Sequence, residues 1–343
     1  MQILKMNSDH LTEFLESLRD FGNLYGPTRK DGLLVFDRID DIRSLEITDE
    51  NTFLPLKKLF HPRAFDMFQF DEKGFTPDYS LFEKRVVIGV HPCEIHGIQR
   101  LDEVFMGNQQ DPYYAGLRKS TAIIGFSCLP TENSLCNSTG TDIVQSGFDL
   151  FFVNLGSFHL VWVGSSLGHD MILKREEFFT DAVTHEEIQE YIAWREKRDA
   201  MFTKSFDFDS MPDIMDLSYN SDVWEYFGDK CLSCGQCTMV CPTCNCYDVR
   251  DVLDISPAKT GRRERYWDSC MFADYSQVAG GHNFRGNRSS RLKLWYNHKL
   301  KAYPHEFGRP SCVGCGRCVE TCPVDINVLT VSDALTRCEV PKE

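Results

Sequence analysis

The sequence predicts two domains, an α/β or α+β domain over residues 1–202 and an α-helical domain over residues 221–343. Up to about residue 200, short runs rich in β-branched and aromatic residues alternate with stretches of helical periodicity. Farther along the chain, eight of the fifteen cysteines fall into two motifs. Between these regions, residues 203–220 lose the periodicity and carry Pro212 among several aspartates. This segment is therefore predicted to be a linker.

The first domain is predicted from alternating strands and helices. The expected strands are Gly32–Phe36, Arg85–Val90, Thr121–Phe126, Phe148–Asn154 and Leu160–Gly164. Helical spacing predicts helices at Ile98–Phe105 and Glu186–Arg198, and an amphipathic helix within Met1–Arg19. The apolar face of that last helix would consist of Leu11, Phe14, Leu15 and Leu18. Alternation of this kind is typical of α/β and α+β folds.

Composition and charge limit the class of protein. The 343 residues carry a net charge of −14, so neither nucleic acid nor an anionic membrane surface is expected as a partner. The most apolar stretch, around Phe148–Val163, is interrupted by Asn154 and His159, and no run of about 20 apolar residues exists. We therefore expect no membrane span. The N-terminus does not look like a signal peptide, which favours a cytoplasmic location with reduced cysteines.

Two cysteine motifs share one spacing, in which three cysteines at every third position precede a fourth cysteine and a proline. The first motif contains Cys231, Cys234, Cys237 and Cys241, and the second contains Cys312, Cys315, Cys318 and Cys322. In bacterial ferredoxins such a C-x-x-C-x-x-C-x-x-x-C-P run holds [4Fe-4S] clusters. The sequence therefore predicts an α-helical ferredoxin-like domain with two [4Fe-4S] clusters.

The fourth cysteine of each motif is expected to serve the other cluster, as it does in two-cluster ferredoxins. This crossed ligation assigns Cys231, Cys234, Cys237 and Cys322 to one cluster, and Cys312, Cys315, Cys318 and Cys241 to the other. Zinc also accepts four thiolates, but its sites usually use paired C-x-x-C units. The cluster interpretation is therefore preferred over zinc.

The segment between the motifs is about seventy residues long, far more than a compact ferredoxin needs. By analogy with the helical ferredoxin domains of larger oxidoreductases, helices at Tyr247–Asp254 and Arg291–Leu300 are predicted to pack around the clusters. Six arginines between Arg262 and Arg291 are interpreted as a solvated basic face.

Three further cysteines lie in the same segment, and they are Cys244, Cys246 and Cys270. We interpret them as buried thiols beside the clusters, where they would adjust polarity and shield sulfide from water. The alternative is a further metal site or a redox thiol.

A second group of cysteines lies in the first domain. Cys93 follows the predicted strand Arg85–Val90, Cys128 follows Thr121–Phe126, and Cys136 lies on the next loop. The ends of neighbouring strands line a common crevice, so these thiols are predicted to hold a third cluster. Three thiolates leave a cubane one ligand short, and Glu94, His91 or His96 could supply the fourth. The competing interpretation is three unrelated buried cysteines and a helix-capping Glu94.

Several segments resemble one known family. They are HPCEIHGIQRLDEVF from His91, DPYY from Asp111, CPTCNCYDVRDV from Cys241, RYWDSCMF from Arg265 and AGGHNFR from Ala279. They resemble the dicluster iron–sulfur subunit family, which includes the beta subunit of sulfhydrogenases, the iron–sulfur subunit of anaerobic sulfite reductases and subunits linked to heterodisulfide reductase complexes. The resemblance spans most of the chain.

The resemblance implies an electron-transfer role within a hetero-oligomeric anaerobic redox complex. In that family the subunit relays electrons between an NAD(P)H-linked reductase subunit, which carries FAD and a [2Fe-2S] cluster, and a terminal hydrogenase, sulfite or sulfur reductase, or heterodisulfide reductase. The eight motif cysteines match the family's cluster ligands, and Cys93, Cys128 and Cys136 fall where its N-terminal cysteines fall. The alternative is a self-contained iron–sulfur reductase whose N-terminal cluster binds a substrate.

The chain departs from the family at two places. The family often has Pro-Cys-Asp where this chain has Pro92, Cys93 and Glu94, and Cys-Phe-Cys where this chain has Ser134, Leu135 and Cys136. The ligands of a third cluster are therefore the part of the resemblance that transfers least directly.

Overall fold

The structure is a computed structural model that describes residues 2–255 and 259–340. The chain folds into two units. Met1–Phe60 and Tyr79–Lys204 form the first unit, and His61–Asp78 and Ser205–Glu343 form the second. The second unit thus takes a short segment from the N-terminal half of the sequence, which the predicted division around residues 203–220 did not include.

The described residues form twelve strands. They are β1 (Gln2–Asn7), β2 (Asn23–Lys30), β3 (Leu33–Arg38), β4 (Ala64–Asp71), β5 (Gly74–Pro77), β6 (Arg85–Val90), β7 (Thr121–Phe126), β8 (Leu150–Asn154), β9 (Phe158–Val163), β10 (Phe179–Thr180), β11 (Tyr247–Leu253) and β12 (Gly261–Trp267).

The α-helices of the same described ranges vary from one turn to four. They are α1 (Leu11–Ser17), α2 (Pro92–Phe105), α3 (Pro112–Lys119), α4 (Ser166–Leu173), α5 (His185–Ala200), α6 (Met211–Leu217), α7 (Val223–Lys230), α8 (Gln236–Met239), α9 (Arg288–Asn297), α10 (Tyr303–Phe307), α11 (Arg317–Thr321) and α12 (Val328–Arg337). A π-helical turn at His298–Ala302 joins α9 to α10. Within residues 2–255 and 259–340, none of the helices has the length and apolar character that crossing a bilayer requires.

The first unit is built on an eight-stranded sheet with the order β10-β1-β9-β8-β7-β6-β2-β3. The central strands β2, β6, β7 and β8 are parallel, and the strands toward both edges are antiparallel. Every residue of β6 and β7 is buried. Strands covered on both faces read as continuous apolar runs, which is why these two were predicted with their observed bounds.

Side chains of β6 alternate between the two faces of this sheet. Val86 and Ile88 join an apolar cluster with Phe14 of α1 on one face. Val87 and Val90 join a second cluster with Ile98 of α2 on the other. The alternation slips by one residue at Gly89, where the register with β7 shifts and φ is +75°. The first unit is therefore a mixed α/β sandwich of helix, sheet and helix, and the α/β prediction is confirmed at this level.

The predicted N-terminal helix is shorter than expected. Residues Gln2–Asn7 form β1, and the α-helix begins only at Leu11. Leu4 and Met6 are buried while their neighbours are more exposed, which is the period of two that a strand requires. The Asn7 side chain then accepts a hydrogen bond from the Asp9 N–H and starts the helical turn.

The second unit contains an antiparallel sheet with the order β11-β12-β4-β5. The prediction of a purely α-helical second domain is therefore incomplete, and the helix predicted at Tyr247–Asp254 is wrong, because β11 occupies this segment. Cross-strand ion pairs join Arg250 to Glu264 and Arg263 to Asp251, each at 2.7 Å. These alternating charges are what an exposed edge strand carries. The helix predicted at Arg291–Leu300 corresponds to α9 and the π-helical turn.

Part of the segment predicted as a linker is helical. α6 occupies Met211–Leu217, and its Met211 and Met215 side chains are buried. Pro212 lies in the first turn of this helix, where a missing N–H and a fixed φ are tolerated. Proline in this position starts a helix, whereas the sequence pattern had been interpreted as a break.

Candidate metal centres

The two cysteine motifs adopt the same local conformation. The third and fifth residues of each motif have positive φ, at Ser233 (+52°) and Gly235 (+76°) in the first, and at Gly314 (+61°) and Gly316 (+80°) in the second. Gly235 and Gly316 then begin the short helices α8 and α11, which carry the third cysteine of each motif. The repeated conformation explains why the same spacing occurs twice.

Backbone N–H groups within each motif point at its first sulfur. The Ser233 N–H donates to Cys231 Sγ at 3.4 Å, and the Gly314 N–H donates to Cys312 Sγ at 3.5 Å. The Ile326 N–H donates to Cys322 Sγ at 3.2 Å. Hydrogen bonds of this kind stabilise a thiolate and tune a metal bound to it.

The first predicted ligand set lines one cavity. Its cysteine walls are formed by Cys231, Cys234, Cys237, Cys322 and also Cys318. The remaining walls are largely apolar, with Met271, Leu292 and Trp295 among them. A cavity that combines thiols with apolar walls fits an iron–sulfur cluster, because the thiols can bind iron. The apolar walls limit access of solvent, which is one of the properties that set the reduction potential of a cluster.

Cys237 interacts electrostatically with the other cysteines of this set. Burial, and then the charges of Cys231, Cys234, Cys241 and Cys322, raise the pKa of Cys237 to about 12. Crowded thiols of this kind stay protonated in the absence of metal. Metal ligation requires the thiolate form, and a bound metal cation offsets the repulsion between neighbouring thiolates.

The second predicted ligand set contains no exposed cysteine, whereas Cys234 of the first set is exposed. Burial raises the pKa of Cys312 to about 12, with a further contribution from the charges of Cys241 and Cys315. The pKa of Cys318 is raised well above its usual range by burial, and then by Cys312, Cys315 and Cys241. Cys241 of the first motif therefore lies near cysteines of the second as well as near Cys237, and Cys322 of the second motif lines the cavity of the first set. The crossed ligation of the two clusters stays a prediction.

A buried ammonium group lies beside the second set. Lys299 is 1% exposed, and its Nζ donates to Thr243 Oγ1 at 2.8 Å. Thr243 Oγ1 in turn contacts Cys241 Sγ at 3.3 Å. Burial opposes the charge, but Cys241, Cys244 and Cys312 in their thiolate form, which metal ligation requires, outweigh it and raise the pKa of Lys299. Lys299 therefore remains a cation against the second set of thiols.

The sequence did not single out Lys299 or Thr243. Lysine is seldom fully buried unless it is paired, so a lysine in a predicted helix is expected to face solvent. The one available signal was the position of Thr243 inside the segment from Cys241 to Cys246, which is crowded with cysteines.

Two of the arginines interpreted as a solvated face are buried, so that interpretation is wrong for them. Arg265 is 1% exposed and Arg291 is 4% exposed. Arg291 donates to the carbonyls of Met271, Arg285 and Gly286 and to Ser233 Oγ, at 2.9–3.1 Å. Arg291 thereby ties the loop of the first motif to the segment that precedes α9.

The three cysteines between the motifs are not equivalent. Cys244 and Cys270 are buried, and Cys246 is partly buried. Cys246 hydrogen-bonds to the side chain and the backbone N–H of Cys270 and to the Tyr275 hydroxyl. The interpretation as thiols beside the clusters stays a prediction, and the structure adds that Cys246 and Cys270 form a pair.

The first unit has a crevice at the carboxyl ends of its parallel strands. Thr48, Ser127 and Cys128 line one cavity there, with a volume of about 420 Å³. Pro92, Ser127 and Arg198 line a neighbouring cavity. Strand ends of this kind are where α/β sheets bind ligands.

The structure brings two of the three N-terminal cysteines together. Burial, then the neighbouring Cys136, and then Asp49 raise the pKa of Cys128 well above its usual range. Arg198, which pairs with Asp142 at 2.7 Å, acts in the opposite direction. Cys93 is buried in the first turn of α2, at the same edge of the sheet.

The candidates for a fourth ligand make backbone contacts. Glu94 Oε2 accepts a hydrogen bond from the Leu56 N–H at 2.9 Å. Nε2 of His91 contacts the Thr48 carbonyl, and Nε2 of His96 contacts the Ile143 carbonyl, both at 2.8 Å. No three histidine, cysteine or carboxylate side chains within the described ranges converge on a position for a single metal ion. A third cluster with Glu94 as a ligand stays a prediction.

Comparisons with known proteins identify the family. Residues 230–326 match the model of a 4Fe-4S dicluster domain. The chain is similar to sulfhydrogenase 2 subunit beta of Pyrococcus furiosus, with 39% identity over 333 residues, which is 97% of this chain and 98% of the relative. No solved structure matches the chain. The chain therefore belongs to the family of dicluster [4Fe-4S] electron-transfer subunits that includes this sulfhydrogenase subunit.

Proposed function

We propose that this protein relays electrons between an NAD(P)H-linked reductase subunit, which carries FAD and a [2Fe-2S] cluster, and a terminal catalytic subunit. The terminal subunit would be a hydrogenase, a sulfite or sulfur reductase, or a heterodisulfide reductase. The observation that carries the proposal is that Cys322 of the second motif lines one cavity with Cys231, Cys234 and Cys237 of the first. Cys318 lines the same cavity, so the two proposed cluster sites would share a wall.

Two [4Fe-4S] clusters would be held by the second unit. Cys231, Cys234, Cys237 and Cys322 would bind one cluster, and Cys312, Cys315, Cys318 and Cys241 the other. The clusters supply reversible one-electron transfer, and the protein contributes thiolates, N–H donors and a dry environment. Two neighbouring one-electron sites favour electron transfer, rather than catalysis, as the function of this chain.

The proposal is tested by purifying the protein anaerobically from its native host together with its partners. A flavoprotein and a terminal redox subunit should co-purify, and NADH or NADPH should reduce the [4Fe-4S] signals only when the flavoprotein is present. A complex without any flavoprotein, or clusters that no physiological donor reduces, would contradict the proposal. The proposed cytoplasmic location of the protein is tested by the cell fraction in which the complex is found.

A third [4Fe-4S] cluster at Cys93, Cys128 and Cys136 is part of the same proposal. The electrostatic interaction between Cys128 and Cys136 supports it, as does the position of Cys93 at the same sheet edge. Iron quantitation of Cys93→Ser against Cys338→Ser tests it, because Cys338 is an exposed cysteine outside every predicted ligand set. Equal iron content in the two variants would rule out the third cluster.

The cavity beside Cys128 favours one alternative function, a self-contained reductase with a substrate at the N-terminal site. This alternative predicts that the isolated chain reduces a substrate with an artificial dye as electron donor. A relay subunit should exchange electrons with the dye and turn over no sulfur or disulfide substrate by itself.

A further inference from the structure

Cys246 and Cys270 are brought together by the sheet of the second unit. Cys246 directly precedes β11, and Cys270 follows the end of β12. The last register pair of these strands joins Tyr247 to Trp267, and the Asp268 N–H then donates to the Cys246 carbonyl at 3.1 Å. The ladder therefore extends one residue beyond the strands and places Cys246 against the segment that leads into Cys270.

The two thiols are in hydrogen-bond contact. Cys246 accepts from the Cys270 thiol, the Tyr275 hydroxyl and the Cys270 N–H, and Lys299 adds a nearby positive charge. These contacts lower the pKa of Cys246 against the opposing effect of burial, and the same bond raises the pKa of Cys270. A thiol of lowered pKa beside a second thiol is the arrangement that thiol–disulfide chemistry uses.

The loop that carries Cys270 packs directly on the first cysteine motif. Thr238 Oγ1 of α8 is hydrogen-bonded to Ser269 Oγ at 2.8 Å. Met271 lines the cavity of the first ligand set. The ring of Phe272 lies 2.6 Å from the point where a Cβ on Gly235 would stand. The chain neighbours of Cys270 therefore contact the first cysteine motif or line its cavity.

We propose that Cys246 and Cys270 form a reversible dithiol–disulfide couple that exchanges electrons with the two [4Fe-4S] clusters. The inference rests on the proposed function, because the clusters are the electron acceptors. It assigns a redox role to a pair of thiols outside both cysteine motifs, and it adds a two-electron store beside the one-electron carriers of the second unit.

The oxidation balances with the groups named. The Cys246 thiolate and the Cys270 thiol form one S–S bond, the S–H bond of Cys270 breaks, and one proton leaves. Two electrons are released, and they reduce each of the two clusters by one electron. Reduction reverses these steps. A dithiol carries two electrons, whereas a [4Fe-4S] cluster carries one. The pair would therefore convert two one-electron transfers through the clusters into one two-electron reaction.

The first experiment maps the bond in the complete protein. The cluster-loaded protein is equilibrated anaerobically with mixtures of oxidised and reduced dithiothreitol, quenched with a maleimide, and digested for mass spectrometry. We expect a peptide cross-linked through Cys246 and Cys270 that appears and disappears reversibly with the mixture. A pair that stays labelled as two thiols at every ratio, or a bond from Cys246 to Cys244 instead, would overturn the proposal.

The second experiment counts electrons in a reductive titration with dithionite, after pre-oxidation. The wild type should take up about two electrons per chain more than Cys246→Ser/Cys270→Ser, because only the wild type has a disulfide to reduce. Cys338→Ser is the matched control and should behave as the wild type. Equal uptake by the double variant, or loss of iron from it, would refute the couple and point to structural or ligand cysteines.

The experiments distinguish a failure of the proposed relay function from a failure of the proposed thiol couple. Clusters that do not titrate would contradict the electron-transfer function, while the peptide mapping still decides whether the pair forms a disulfide. Clusters that titrate normally, with no difference in electron uptake, would remove the thiol couple and leave the relay function intact.

Discussion

The two cysteine motifs have the same spacing and the same loop conformation, but they lie in different surroundings. The first has an apolar cavity and one exposed cysteine, Cys234. The second has the buried ammonium of Lys299, which is hydrogen-bonded to Thr243. Thr243 in turn contacts Cys241, the cysteine of the first motif that is assigned to the second ligand set. Spacing therefore sets which thiols can wrap a cluster, and the surroundings set its potential. We expect the cluster of the second motif to have the higher potential, because a nearby cation stabilises the more negative reduced state.

Removing ligands should have the largest effect and should distinguish crossed from uncrossed ligation. Cys234→Ser and Cys322→Ser are expected to perturb one cluster, and Cys315→Ser and Cys241→Ser the other, with a loss of up to about four irons in each case. Electron paramagnetic resonance of the reduced protein, together with iron quantitation, gives the measurement. If Cys322→Ser altered the same signal as Cys315→Ser, each motif would hold its own cluster. Cys338→Ser should leave both signals unchanged.

The shared loop conformation can be tested at Gly235. An alanine there would have to adopt a φ of +76°, and its Cβ would lie 2.6 Å from the Phe272 ring. We expect Gly235→Ala to lower the free energy of unfolding by about 2–3 kcal/mol, from backbone strain and the clash together. Chemical denaturation measures this change. Gly286→Ala is the control, since it has open space around its Cβ position, and an equal loss there would exclude the loop as the cause.

The electrostatic difference between the motifs can be removed at Lys299. Lys299→Met keeps the length of the side chain and deletes its charge. The potential of the second cluster should fall by on the order of 60 mV, which is a tenfold change in a one-electron equilibrium, while the first cluster should change less. A redox titration followed by electron paramagnetic resonance separates the two. Lys301→Met removes a more exposed lysine, paired with Asp216, from the same helical segment. An equal shift in that control would show a general effect of charge.

Different physical properties explain what could be predicted from the sequence and what could not. β6 and β7 were predicted with their observed bounds because both faces are covered, so the apolar run is unbroken. β11 was missed because an exposed strand stabilised by cross-strand ion pairs has no apolar alternation to detect. Pairs such as Lys299 with Thr243 depend on contacts between distant parts of the chain. A single sequence does not encode those contacts in any local period.

The smallest expected effect concerns Thr243, which contacts Cys241 of the second predicted ligand set. Its hydroxyl oxygen accepts from Lys299 Nζ at 2.8 Å and from Ser311 Oγ at 3.3 Å. The hydroxyl proton is therefore available to Cys241 Sγ, which lies 3.3 Å away. A donor to a ligand sulfur stabilises the reduced cluster, so the nearly isosteric Thr243→Val should lower the potential of the second cluster.

The expected shift is on the order of 20 mV, which corresponds to about 0.5 kcal/mol, the lower end of the net value of one hydrogen bond. Thr238→Val is the matched control for the first predicted ligand set, because Thr238 donates its hydroxyl proton to the Gly235 carbonyl and its Oγ1 contacts Ser269 Oγ. The control should lower stability and leave both potentials in place. If Thr238→Val shifted the first cluster as much as Thr243→Val shifts the second, hydrogen bonding to sulfur would not be what distinguishes the two motifs.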